Sequence, residues 1–426
     1  MISYGRFGLF LVQCVNMALV LFLANRVFET GYSNLSYLKK YILLIPILLF
    51  MIPTLGGGNL TEEFSLLPLV LAILWLTRYL KQCYNCENYK NSIWIAFGYG
   101  AMFGFFLFLR VNNSALLLAI VFIVSINILI HKEFINLLQN ALMFICGFII
   151  SLIPVFVFAG VNNMIPEMLH AMFYLGFKYS GEMTIWQHLC VYSEKWYYTL
   201  ISFVPIMITL VFWRFYKKEK MYMVLAVLGC LVTNLACLTG NNYIHYYALN
   251  IPLLIYGEFL LVTPQNLILE YKTNRKQLIA FGLIAVAIAL YASDAIGTVK
   301  FSAVQFRNII NNNFEDKDYV DIASYIPNNE KDSVYTYGIP SRWYLYNGIF
   351  PYCRYCDWQD HYISLMPEIK NEIVEMFENN PPKYLVLKTD KASTAPFIRA
   401  ICDEKYIAKE SNSTLTLYTL APKEII

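Results

Sequence analysis

Two adjacent carboxylates, an isolated arginine and a histidine set among tyrosines are the residues of this sequence best suited to chemistry. Glu62 and Glu63 lie in the segment GGGNLTEEF (Gly56–Phe64). Paired carboxylates can take a proton from a hydroxyl or hold a metal ion, and the three glycines ahead of them let the backbone approach a ligand closely. The same letters also answer a plainer demand. Asn59 with Glu62 three residues later has the form of a capping box, and acids at a helix start complement its macrodipole. Arg110 opens RVNNS at the end of an apolar run, where an arginine either snorkels to the interface or clamps a phosphate. In TGNNYIHYY (Thr239–Tyr247), Asn242, His245 and Tyr246 are hydrogen-bond donors for a phosphate or pyrophosphate, although tyrosine at a membrane interface is commonplace. Lys178 adds a cation in the stretch 161–196 beside His170 and Glu182.

The elements carrying these groups follow from composition. The 426 residues are 58% hydrophobic and 14% charged, more apolar surface than a soluble core of that length can hide, so lipid is the expected solvent. Apolar runs long enough to cross a hydrocarbon layer of about 30 Å recur near 8–25, 41–56, 64–80, 93–109, 114–130, 141–160, 197–213, 221–238, 246–263 and 277–293. The expected fold class is a multi-pass α-helical membrane protein of about ten spans. Basic residues set its orientation. Lys39, Lys40, Lys81, Lys90, Lys132, Lys217, Lys218 and Lys220 fall in one alternating set of loops, whereas the other set holds Arg6, Arg110, Lys178 and Lys195. Cationic loops stay in the cytoplasm, so the chemistry-bearing loops are expected outside the cell membrane. The segment 161–196 reads as an amphipathic helix in the interface, with Ile165, Met168, Leu169, Met172, Phe173 and Phe177 at helical spacing.

From about Ser293 the chain becomes charged and turn-rich, predicting a polytopic domain over 1–294 and an extracytoplasmic α/β domain over 295–426. Within the latter the pattern gives a strand at Ser333–Tyr337, a helix carrying Ile369, Ile373, Val374, Met376 and Phe377, a strand at Tyr384–Lys388 and a hairpin over Tyr406–Leu420. The net charge of +3 and the lack of a basic groove with interleaved aromatics exclude nucleic acid as an expected partner. The scattered cysteines form no disulfide framework, and Cys353 with Cys356 is a CxxC lacking a second pair at zinc spacing. The sequence contains no GxSxG, Walker A or HExxH motif.

Five segments, in order, give the chain its likeness to known proteins: GRFGLFLVQ (Gly5–Gln13), GGNLTEEFSL (Gly57–Leu66), FLRVNNS (Phe108–Ser114), NYIHYYALNIP (Asn242–Pro252) and the stretch from YGIPSRWYLYNGIFPYCRY to NNPPKYLVLK (Tyr337–Lys388). With these the chain resembles, over nearly its whole length, the C-type (GT-C) membrane glycosyltransferases. The bacterial branch related to dolichyl-phosphate-mannose protein mannosyltransferases and aminoarabinose transferases is the nearest in pattern. The resemblance implies transfer of a sugar from a polyprenyl-phosphate donor to an extracytoplasmic glycan, lipid or protein acceptor, among membrane lipids. It implies catalytic roles for Glu62 and Glu63, a divalent metal ion as cofactor with Glu63 as its ligand, and substrate-binding roles for Arg110, His245, Tyr246, Asn242 and Lys178. The family opens with a cytoplasmic N-terminus, a span and an acidic outer loop. This chain lacks that opening, and an incomplete N-terminus is expected. The competing expectations are a flippase or transporter for lipid-linked saccharides, which would place ionisable residues in mid-span, where Glu258 is the main one, and a polysaccharide polymerase, which would lack the terminal domain.

Overall fold

The computed structural model describes residues 6–33, 35–56, 60–86, 88–175, 190, 196–217, 219–238, 243–263, 291–304, 307 and 321–422. It divides into a unit ending at Ala303 and a second unit beginning at Val304. The first unit is helical. Its principal helices are α1 (Arg6–Gly31), α2 (Tyr37–Leu55), α3 (Thr61–Cys86), α4 (Ile93–Leu109), α5 (Ala115–Ile130), α6 (Phe134–Val161), α7 (Trp196–Val211), α8 (Lys220–Cys237) and α9 (Ile251–Val262). Residues 291–304 add a further helix.

Six helical stretches among the described residues are long and apolar enough to cross a membrane: Leu11–Gly31, Tyr37–Leu55, Thr61–Cys86, Val111–Ile130, Phe134–Val161 and Lys220–Cys237. The chain is thus a multi-helix membrane protein. Ile93–Leu109 and Tyr197–Val211 are apolar but shorter, and 277–293 lies mostly outside the described residues. The run 246–263 is not one helix. A 3₁₀ turn, Ile244–Asn250, leads into α9, which begins with Pro252 in its first turn. A proline has no N–H to satisfy there, so the chain can change winding at that point without an orphaned donor.

Side-chain burial separates the helices into core and lipid faces. Every residue of α9 is buried, which marks it as the helix around which the others pack. The opposite extreme is α6, whose only buried residues are Asn136, Asn140, Gly147 and Ala159. Ile135, Leu138, Leu142, Ile149, Ile153 and Val157 point outward from it, a surface suited to hydrocarbon and not to water. What fastens α6 to the bundle is close backbone approach to α4. A Cβ on Gly100 would collide with the Phe144 carbonyl, one on Gly147 with the Phe97 carbonyl, and one on Gly104 with the Ser151 hydroxyl. Small residues permit this contact where apolar burial gives no preference between lipid and protein. Prolines 46, 53, 68, 154 and 205 sit inside helices, as a bundle tolerates when neighbours satisfy the freed carbonyls.

In the stretch 161–196, a helical turn at Ile165–Leu169 continues as a π-helical turn at His170–Leu175. Helical backbone therefore covers the first part of the expected amphipathic segment, and Phe177, Lys178 and Glu182 lie outside the described residues.

The second unit is a small α/β domain. Its four-stranded sheet has the order β1-β2-β4-β3, with β1 (Val334–Thr336) parallel to β2 (Tyr384–Lys388) and the hairpin β3 (Tyr406–Ser411) and β4 (Leu415–Leu420) antiparallel. Helices α10 (Arg342–Asn347), α11 (Gln359–Leu365), α12 (Glu368–Asn379) and α13 (Pro396–Lys405) accompany it. The buried Ile369, Ile373 and Phe377 form the inward stripe of α12, as the spacing predicts. The parallel β1/β2 pair requires a crossover, and α10 to α12 supply it.

Candidate functional site

Three segments far apart in sequence meet where α3 begins and α4 ends. Thr61, Glu62 and Glu63 occupy the first turn of α3. Carboxylates there face the partial positive charge of the helix N-terminus, an interaction of roughly 0.3–1 kcal/mol per group. Asn59 of the expected capping box lies outside the described residues. Arg110 terminates α4 in extended backbone, and a 3₁₀ turn, Val111–Ser114, restarts the chain as α5. This break turns Arg110 toward α3. The Asn113 amide donates to the Ser65 hydroxyl at 2.8 Å and fixes the turn against the helix. His245 and Tyr246 come from the 3₁₀ turn ahead of α9.

Glu62 is the hub. One oxygen accepts from the Arg110 Nη1 at 2.7 Å. The other accepts from the Thr61 hydroxyl at 3.0 Å and lies 4.0 Å from His245 Nε2. The Arg110 guanidinium is also stacked over the Tyr246 ring, 3.8 Å from its centroid, an arrangement that favours arginine over lysine because the planar guanidinium covers a ring face. The His245 ring stands edge-on to Tyr246 at 4.7 Å. Glu62 is 1% exposed, while the Arg110 and His245 side chains keep 20% and 28% of their surface. The guanidinium and the imidazole therefore face outward from a buried carboxylate that orients them.

Glu63 points elsewhere. Its Oε2 accepts from the Gln13 amide at 2.9 Å and its carbonyl from the Asn16 amide at 2.8 Å, both on α1. Gln13 and Asn16 are site residues that spacing alone did not single out, although Gln13 closes the motif GRFGLFLVQ and both are polar letters in an apolar run. A third set lies alongside. Tyr198 on α7 donates to Asp294 at 2.9 Å and stacks on Tyr247, the neighbour of Tyr246. Asp294 was hidden to sequence reading because it sits at the edge of the segment 277–293. The structure brings together Glu62, Arg110, His245 and Tyr246 and turns Glu63 toward α1; Asn242 and Lys178 lie outside the described residues.

A divalent ion at Glu63 would lie against a carboxylate one of whose oxygens accepts from the Gln13 amide, and on the neighbouring Glu62 one oxygen already accepts from Arg110. Among the described residues no group of three or more His, Cys, Asp or Glu side chains converges as a ligand set. What the arrangement offers is a braced guanidinium and an imidazole at one mouth, suited to an oxyanion. No family model, no curated protein and no solved structure matches this chain.

Proposed function

We propose that the chain is a C-type membrane glycosyltransferase, with about ten spans and its terminal α/β domain outside the cell, passing a sugar from a polyprenyl phosphate to an extracytoplasmic acceptor. One observation carries the reading: Arg110 is held between Glu62 and Tyr246 with part of its surface open, beside His245. An oriented but accessible guanidinium is what a departing phosphate needs, since the charge it gains as the sugar–oxygen bond breaks is met without reorganisation. In this reaction an acceptor hydroxyl attacks the anomeric carbon, its proton leaves to a base, and the bond to the phosphate oxygen breaks. Arg110 and His245 hold the phosphate. Glu62, with one oxygen held by Arg110 and the other by Thr61, acts as a positioning residue, and Glu63 is the candidate base.

The test is transfer of labelled sugar from a polyprenyl phosphate by the purified full-length protein in lipid nanodiscs. Arg110→Ala should reduce transfer at least a hundredfold, and Glu63→Gln should lower the maximal rate more than it weakens donor binding. An unchanged rate in Glu63→Gln removes Glu63 from the mechanism. A second reading, movement of lipid-linked saccharide across the bilayer, draws on Glu258, which is wholly buried in α9 with neither carboxyl oxygen hydrogen-bonded among the described residues. Ionisable groups in such places mark transport pathways in other membrane proteins. Lipid flipping by the wild type that Glu258→Gln abolishes, with no sugar transfer, would favour it.

A further inference from the structure

The terminal α/β domain contains a cleft unrelated to the cluster around Glu62. It has a volume of about 310 Å³ and is lined by Gly338, Ile339 and Pro340 on one side and by Asp357 to His361 on the other. Three features set it apart from an ordinary surface dent. First, Trp358 exposes 57% of its surface, a large apolar ring left in solvent. Second, its backbone lies in the left-handed region, φ 51° and ψ 33°. A bulky residue there costs about 1–3 kcal/mol, and such strain persists where surrounding structure enforces it. The enforcement is visible: the Trp358 N–H donates to Asp357 Oδ1 at 2.9 Å. The buried Gln359 donates to the Thr336 and Tyr355 carbonyls at 3.0 and 3.3 Å and accepts from the Gly338 N–H at 3.3 Å, tying both walls together.

Third, two carboxylates are pre-oriented beside the ring. Asp357 Oδ2 accepts from the Ser341 hydroxyl at 2.6 Å, and Asp360 Oδ1 from the Tyr337 hydroxyl at 2.5 Å. Burial first, and the hydrogen bond to Asp360 second, push the Tyr337 phenol above its ordinary range, so it remains a donor. Each carboxylate accepts at several positions, and one fixed donor leaves capacity for more.

We propose that this cleft binds a neutral saccharide unit, one pyranose ring lying on the Trp358 indole while its hydroxyls donate to Asp357 and Asp360. A pyranose has an apolar C–H face and a rim of hydroxyls, which matches one flat aromatic surface next to fixed acceptors in a cleft of this size. An ammonium group is recognised by several aromatic faces arranged as a cage, and this cleft presents one exposed indole. An anionic sugar is disfavoured, because the lining carries two carboxylates and neither lysine nor arginine. The site does not depend on the sugar-transfer reading, and its test measures binding and not turnover.

Full-length protein in lipid nanodiscs, free of glycoside detergents, would be titrated by ligand-observed NMR with chitotriose, mannotriose, triglucuronate and choline. The expected result is saturation by at least one neutral trisaccharide and by neither triglucuronate nor choline. Trp358→Gly should weaken that binding at least tenfold while thermal unfolding is unchanged or raised, since glycine adopts this backbone freely. Trp358→Phe should retain most of the binding. Asp360→Asn, at an exposed position where the amide oxygen can still accept from Tyr337, should weaken it several-fold and carries the test if Trp358→Gly fails to fold. Binding of choline in place of a sugar, no binding by either neutral trisaccharide, or Trp358→Gly and Asp360→Asn variants that bind like the wild type would each overturn the proposal.

Discussion

Both ends of α4 carry a buried polar cluster, and the two are built on different terms. At its start, Asn91, Asn136 and Asn140 bond to one another. The Asn91 N–H donates to Asn136 Oδ1 at 2.9 Å, its amide to Asn140 Oδ1 at 2.6 Å, and both partners return bonds to the Asn91 carbonyl. All three are neutral and at most 8% exposed. At its finish, Arg110 and Glu62 form a charged pair whose cationic member keeps a fifth of its surface. A cluster whose donors and acceptors are spent on each other fastens helices and can do little else. One that buries an anion to hold a guanidinium toward the surface gives up stability for an exposed polar group, since a buried ion pair recovers its desolvation cost only in part.

Substitutions can break this contrast, beginning with the strongest. Arg110→Ala strands Glu62 in the interior and should cost about 3 kcal/mol, read as a fall in the thermal unfolding midpoint. Adding Glu62→Gln should restore most of that loss while activity stays absent. A single variant as stable as the wild type would mean the pair is solvated and the contrast false. Next, Gly100→Ala forces a methyl group into the Phe144 carbonyl and should cost about 2 kcal/mol by separating α4 from α6. Because α4 joins the two clusters, cysteine cross-linking between α4 and α6 should weaken along with stability.

Asn140→Ala leaves the Asn91 amide without its acceptor and should cost about 1 kcal/mol with sugar transfer unaltered. A specific loss of transfer would place the neutral cluster inside the working site. The smallest effect is expected of Tyr246→Leu, which removes the ring beneath Arg110. It should cost about 0.5–1 kcal/mol and weaken donor binding a few-fold, whereas Tyr246→Phe keeps the ring face and should stay within twofold of the wild type in donor titrations.

How much of this was readable in the letters depends on the range of the interaction. The strand Tyr384–Lys388 and the hairpin over Tyr406–Leu420 stand where the sequence pattern and its turn signals placed them, because a strand pattern and a turn are local properties. Glu62 and Glu63 at a helix start were legible for the same reason. Ten apolar runs were legible as runs; six helices among the described residues have the length and hydropathy to span, while Pro252 and the 3₁₀ turn before it divide one run, two are shorter and 277–293 lies mostly outside the described residues. The joining of Arg110 to Glu62 follows from the break between α4 and α5, a backbone event that no periodicity announces. The hold of Gln13 on Glu63 and the meshing of Gly100 with Gly147 are likewise contacts between distant segments, which one sequence does not pair.

His245 and Tyr246 ride on a tight 3₁₀ turn that runs straight into α9, the helix with no exposed residue. Their mounting thus inherits the stiffness of the most enclosed part of the bundle. A ligand arriving at that mouth meets groups whose freedom was already surrendered when the chain folded, and little of its binding energy is diverted to ordering them. The ordering of these side chains is thus settled as the chain folds, and what remains to be lost on binding is chiefly the ligand's own freedom.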